Sequence, residues 1–246
     1  MAQTNTVLGM VIASAPAGEF DRRVVLLTRE KGKISAFAKG ARRVNSPLLA
    51  ATNSFAFGKF ELFEGRNSYT IRQADIQNFF GEFRTDLEGA WYGMYFLELA
   101  DYFTRENNDE REMLKLVYQT LRALSCSSIK NELIRYIYEW KAMVINGEYP
   151  DIFNCACCGE KLLSAYFHGE TYQLFCPECV SFKRAYIPLN QSALYTLQFI
   201  AASSIEKLYT FSVTEEVFTQ LKTMITFCKK KTVDRELKSE EFLRCL

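Results

Sequence analysis

Two cysteine pairs restrict what this chain can fold into more than any other feature. In FNCACCGEKLLSAYFHGETYQLFCPECV, Cys155 and Cys158 precede Gly159, and Cys176 and Cys179 follow after seventeen intervening residues. A Cys-x-x-Cys turn aims two thiolates at one point. A second such pair, brought back by a hairpin, completes the tetrahedral four-sulfur donor set of a structural Zn(II) site. The connecting YFHGETYQLF reads as that hairpin. The expectation is one structural zinc per chain, held by Cys155, Cys158, Cys176 and Cys179 in a module spanning about residues 153–182. Four thiolates close the coordination shell and leave no place for a catalytic water. Cys157 is an alternative to Cys155 or Cys158, and His168 is an alternative ligand; the x-x spacing and the following glycine favour the set named. Disulfide exchange is disfavoured, because two pairs occur together and no thioredoxin-like βαβ pattern surrounds them.

The first eighty residues have the period and composition of strands. Thr6–Ile12, Arg23–Thr28, Lys33–Ala38, Phe57–Phe63 and Tyr69–Ile76 are short runs rich in Val, Ile, Phe, Tyr and Thr, separated by Gly, Pro, Asn and Asp. Gly65–Asn67 carries a hairpin signal between the last two. Five short strands in that length suggest a small barrel of the OB type. Phe37 falls within an alternating run and reads as core.

Beyond Gly81 the period becomes helical. Thr85 and Glu88 have capping-box spacing ahead of LEGAWYGMYFLELADYF. Helices are expected at about Glu110–Leu124, Ile129–Ile145, Asn190–Leu208 and from Thr214 to the lysines 229–231. Trp91, Met94 and Trp140 read as core, and Cys126, Cys228 and Cys245 as inert small hydrophobes in helical patterns. The uncharged run Ala185–Ile205 is long enough to span a membrane, but Pro188, Asn190, Gln191, Ser192 and Gln198 interrupt it, so a buried helix capped at Asn190 is expected. With no secretory pattern at the start and eight cysteines suited to a reducing compartment, the expected location is cytoplasmic. The fold class expected is α+β. An N-terminal OB-fold barrel over 1–80 precedes a helical bundle domain over 81–246, into which the four-cysteine, zinc-ribbon-like module is inserted.

Charge is divided along the chain. Residues 1–80 hold 11 Lys/Arg against 6 Asp/Glu, and residues 81–246 hold 19 against 23. A basic barrel suits a polyanion. Lys31, Lys33, Lys39, Arg42 and Arg43 stand without a carboxylate in KGKISAFAKGARRVNS, and Arg22 and Arg23 extend the set. Such a ribbon can bind backbone phosphates independently of sequence. Catalytic signatures are missing: a single histidine leaves little scope for triads or HExxH chemistry. Gly32-Lys33 and Gly58-Lys59 continue into Ile and Phe where a phosphate loop needs Ser or Thr. The expectation is a protein that is not an enzyme, has no small-molecule substrate and does not enter a membrane.

Several stretches together resemble the bacterial recombination mediator family RecO. They are GEFDRRVVLLTREKGKISAFAKGARRVNSPL, the strand pair after it, the apolar helix around Trp91 to Phe103, the CxxCG and CPxC knuckles, and LKSEEFL near the end. The resemblance implies an OB-fold, a helical domain and a zinc module. It also implies binding to single- and double-stranded DNA and annealing of complementary strands. With RecR as partner, such proteins help load RecA onto DNA coated by single-stranded DNA-binding protein, at the nucleoid. The chain departs from the pattern at Cys157 and at Val180, where the second knuckle often has Gly. A zinc-ribbon RNA-binding protein and a protein-interaction scaffold are the alternative readings.

Overall fold

A computed structural model describes residues 4–65, 68–126, 128–181 and 186–245. Arg66 and Asn67 of the expected hairpin turn lie outside them, as do Ala185, at the start of the uncharged run, and Phe182, at the end of the expected metal module. The chain forms two compact units. One takes in the residues up to Ser125 and the segment from Leu237 on; the other is Cys126–Glu236.

In the first unit, β1 (Thr4–Ala17), β2 (Asp21–Thr28), β3 (Gly32–Ala38), β4 (Phe57–Glu64) and β5 (Tyr69–Asn78) close a barrel in the order β1-β2-β3-β5-β4. All neighbours are antiparallel except β3 and β5, which run parallel. Alternation sends Val24, Leu26, Ile34, Ala36, Phe60, Leu62 and Ile71 inward to one cluster with Val7 and Val11. β1 is longer than its apolar run predicts because a register shift between Val11 and Ala13 lets Met10, Val11 and Ile12 all be buried. The short α1 (Leu48–Ala51) lies between β3 and β4.

The turn between β2 and β3 is fixed by the rest of its unit. Lys33 N donates to Arg105 O at 3.0 Å, and Asn107 N donates to Lys31 O at 3.1 Å. Gly32 sits between them with φ +66°, and a Cβ there would stand 2.4 Å from Arg105 O. Only glycine satisfies both the left-handed backbone and the close approach.

Two long helices follow in this unit, α2 (Leu87–Phe103) and α3 (Arg111–Ser125). The N-cap of α2 is Asp86, whose carboxylate accepts from Gly89 N at 2.9 Å, and not Thr85 of the expected capping box. A 3-10 turn at Gly81–Arg84 shifts the start by one residue, and Thr85 Oγ1 donates to Glu82 O instead. Met94 is exposed rather than core, since it lies on the outer side of α2 beside the half-buried Trp91.

The second unit contains α4 (Asn131–Ile145), the strands β6 (Ala165–His168), β7 (Gln173–Phe175) and β8 (Ile187–Leu189), then α5 (Gln191–Ala202) and α6 (Glu215–Thr232). Asn190 caps α5 by accepting from Ala193 N at 2.8 Å, and Thr214 caps α6. The α5 segment ends before Leu208 because a 3-10 turn, Ile205–Lys207, follows Ser203. α4 is buried on most sides, and its buried charges are paired within the unit. Lys141 Nζ donates to the carbonyls of Ile200, Ala201 and Ser203, the otherwise open end of α5, and Glu139 accepts from Arg135 and Lys229. The closing helix α7 (Lys238–Leu243) returns to the first unit, where Glu98 accepts from Lys238 N and Ser239 N. Among the described residues no helix is long and apolar enough to cross a membrane.

Candidate nucleic-acid interface and metal site

The seven cations singled out in the sequence fall at two ends of β3, whose seven residues separate them by about 20 Å of strand. At the β2–β3 turn, Lys31 donates to Glu64 Oε2 at 2.9 Å and lies 5.1 Å from the Tyr69 ring centroid. Its pKa is raised, chiefly by the Glu64 hydrogen bond. Lys33 donates to Asp101 O at 2.6 Å and pairs with Asp101 Oδ1 at 3.1 Å. Both are half-buried and committed to neighbours.

At the opposite end two loops are tied together. Gly40 N donates to Asp21 Oδ1 at 2.7 Å, and Arg42 N donates to Phe20 O at 2.9 Å. Arg42 also donates through its guanidinium to Gly18 O and Glu19 O, and Arg43 lies over the Phe20 ring at 5.2 Å. Lys39, Arg42 and Arg43 are exposed, and so is Arg23, which donates to Ser35 Oγ at 2.9 Å. Arg22 is used structurally: one guanidinium nitrogen reaches Leu49 O, Thr52 Oγ1 and Asn53 Oδ1, fixing the α1 connection. The structure thus places Arg42 and Arg43 at Phe20 with the exposed Lys39 on the same loop, leaves the exposed Arg23 at the adjoining end of β2, and sets Lys31 and Lys33 apart.

Phe37 corrects the expectation of a core residue. Within β3 the buried phase is Gly32, Ile34, Ala36 and Ala38, so Phe37 shares the outer face with Lys33 and Ser35 and is 38% exposed. The alternation is present in the sequence, but its inward phase is set by the neighbouring strands.

The four predicted thiols do come together. Cys155, Cys158, Cys176 and Cys179 have their sulfurs all within 4.8 Å of one another. The Cys158–Cys176 Sγ separation is 3.9 Å. A tetrahedron with metal–sulfur bonds of about 2.3 Å has edges of about 3.8 Å, so the cluster fits a metal and is far too open for a disulfide. Local hydrogen bonds build each knuckle. Cys155 N donates to Glu160 O at 2.8 Å and Gly159 N to Cys155 O at 2.9 Å, with Gly159 at φ +77°. Cys179 N and Val180 N both donate to Cys176 O at 3.1 Å, so the second turn closes without a glycine.

Electrostatics within the cluster are uneven. Burial opposes charge on Cys155, but N–H donors of Cys158, Cys176 and Cys157 outweigh it and draw that thiol down to about 6. Cys179 is pushed up by the neighbouring Cys176 and Cys158 thiols, as expected for several ligands sharing one site.

Cys157 is exposed and lies outside the four. His168 is at the far end of the β6–β7 hairpin, paired with Gln173, while Cys176 follows the Tyr166–Phe175 pair. Its Nδ1 lies 2.9 Å from Thr171 Oγ1, which makes it a buried turn residue. Of the remaining cysteines only Cys228 is buried. Cys126 and Cys245 are exposed just beyond helix ends, so of the three cysteines read as small hydrophobes in helical patterns only Cys228 lies within a helix.

A closed OB-type barrel with a basic end, a helical C-terminal part and a four-thiol module define the class of the protein. Residues 1–80 match the model described as recombination protein O N terminal, and residues 84–241 match recombination protein O C terminal. The chain therefore belongs to the RecO family. It is 28% identical to the DNA repair protein RecO of Acetivibrio thermocellus, over 97% of this chain and 95% of that one. To that of Alkaliphilus metalliredigens it is 31% identical, over 83% and 84%. With that of Listeria welshimeri it shares 29% over 96% and 92%.

Proposed function

We propose that this chain is a DNA-binding recombination mediator. It anneals complementary single strands and, together with RecR, helps RecA replace single-stranded DNA-binding protein during recombinational repair. The observation that carries this reading is the exposed cluster of Arg23, Lys39, Arg42 and Arg43 at one end of a barrel in a RecO-family chain. These four side chains make the direct phosphate contacts. Lys31, Lys33 and Arg22 are engaged within the protein, so they add field more than contact. The barrel over 1–80 is the nucleic-acid-binding domain, and the rest of the chain supplies the helical domain and its partner contacts, in the cytoplasm.

Annealing needs two strands held close while their phosphates are partly neutralised. A basic surface does this without nucleotide hydrolysis, and base pairing supplies the driving force. The protein therefore makes and breaks no covalent bond. Because the contacts are to the backbone, strands can shift until they find register.

The metal is structural Zn(II), one per chain, held by Cys155, Cys158, Cys176 and Cys179. It supplies cross-linking of the two knuckles and no chemistry, since four thiolates fill its shell. The function is tested by mixing bare complementary strands with the protein in the absence of nucleotide. Faster duplex formation than the spontaneous rate supports the reading; an unchanged rate opposes it.

A further inference from the structure

Across the outer face of the barrel, strand register lines up one continuous strip. Arg23 on β2 pairs with Phe37 on β3, Phe37 with Thr70 on β5, and Thr70 with Phe63 on β4. Paired residues project to the same side, so the strip spans about 14 Å over four strands. Its rings differ in state. Phe63 is half-buried and lies under the Arg72 guanidinium at 4.9 Å. Phe37 is 38% exposed, and among the described residues its ring has no aromatic or cationic neighbour. Arg23, in register with Phe37, and Arg72, over Phe63, thus stand on either side of this partly exposed ring. Two carboxylates lie on β4 beside the strip: Glu61, two residues before Phe63 on the same outer face and opposite Gln73, and Glu64, opposite Tyr69, which accepts from Lys31 and Asn5.

We propose that this strip is a stacking platform for the unpaired bases of single-stranded DNA, with Phe37 beneath a base and Arg23 and Arg72 toward the flanking phosphates. The proposal rests on the DNA-binding reading above and deepens it. Every base has a π-face, so such a platform tolerates any sequence, whereas in a duplex that face is already stacked on its neighbours. The cationic loops at residues 39–43 attract either form of DNA through phosphate. The Phe37 strip is what separates single strands from duplex, and it favours releasing the annealed product.

The test is equilibrium binding of labelled oligo-dT and of a duplex of equal length to the full chain. Phe37→Ala should weaken oligo-dT binding about tenfold and change duplex binding by less than about twofold. Phe37→Leu, apolar but without a π-face, should behave like Ala, and Phe37→Trp should restore affinity. The slope of log affinity against log salt should stay as in wild type, because no phosphate contact is removed. Equal losses on both DNAs, or wild-type affinity in the Ala or Leu variant, would overturn the proposal. If those results accompany a wild type that binds DNA and loses salt dependence on replacing the basic loop, the DNA-binding reading stands without the platform. If the wild type binds neither DNA, both fall.

Discussion

Cys176→Ser is expected to reduce bound zinc from one per chain to near zero and to unfold the module around it. Cys176 is buried, its sulfur lies 3.9 Å from that of Cys158, and its amide donates to Cys155 Sγ at 3.3 Å, so it joins both knuckles. Strands β6, β7 and β8 are 4, 3 and 3 residues long, so their sheet has few ladder bonds of its own and leans on the metal site and on α6, where Phe167 meets Phe227 at 5.4 Å. Structural zinc contributes about 10–16 kcal/mol of apparent binding energy in small modules, comparable with the whole stability of a typical domain. Metal analysis of freshly purified protein and a thermal melt provide the measurement. Cys157→Ser should keep its zinc, because that thiol is exposed and outside the cluster. Full zinc in Cys176→Ser, or loss in Cys157→Ser, contradicts the ligand assignment. DNA affinity should fall less than stability does, since the proposed contacts lie on the barrel.

Replacing Lys39, Arg42 and Arg43 together by Ala should flatten the dependence of log affinity on log salt for single-stranded DNA by about 2, at about 0.7 per phosphate contact. These side chains are exposed, and their removal leaves the barrel's inner cluster untouched. The measurement is a binding titration at several salt concentrations. An unchanged slope would mean that the loop is merely a solvated face. Arg42 also holds the loop carrying Gly18 and Glu19, so an Arg42→Lys variant, which keeps the charge but not the two-carbonyl geometry, separates local loosening from lost phosphate contact.

Much of this architecture could be read directly from residue patterns. The strand runs, the Asn190 and Thr214 caps and the four-thiol set each rest on a local rule: alternation, a side chain satisfying an open N–H, or two tight turns of fixed spacing. Those rules act within a few residues, so the chain displays them. What escaped depends on long-range pairing. That Lys31 and Lys33 are taken up by Glu64 and Asp101 follows from contacts 33 and 68 residues away in sequence. The buried Lys141 in α4 likewise finds its three carbonyls about sixty residues later. Phe37 is the intermediate case. Its alternation was legible, but which phase faces inward is decided by Val24, Leu26, Phe60 and Leu62 on neighbouring strands.

In the function proposed above, the basic end of the barrel brings complementary strands together through their protein coat. The most direct measurement follows duplex formation from complementary strands covered with single-stranded DNA-binding protein, without nucleotide, comparing wild type with the Lys39, Arg42, Arg43 triple Ala variant. Wild type should accelerate annealing, and the variant should lose most of the acceleration while keeping its fold and its zinc. No acceleration by wild type, or equal acceleration by the variant, would contradict the proposed function.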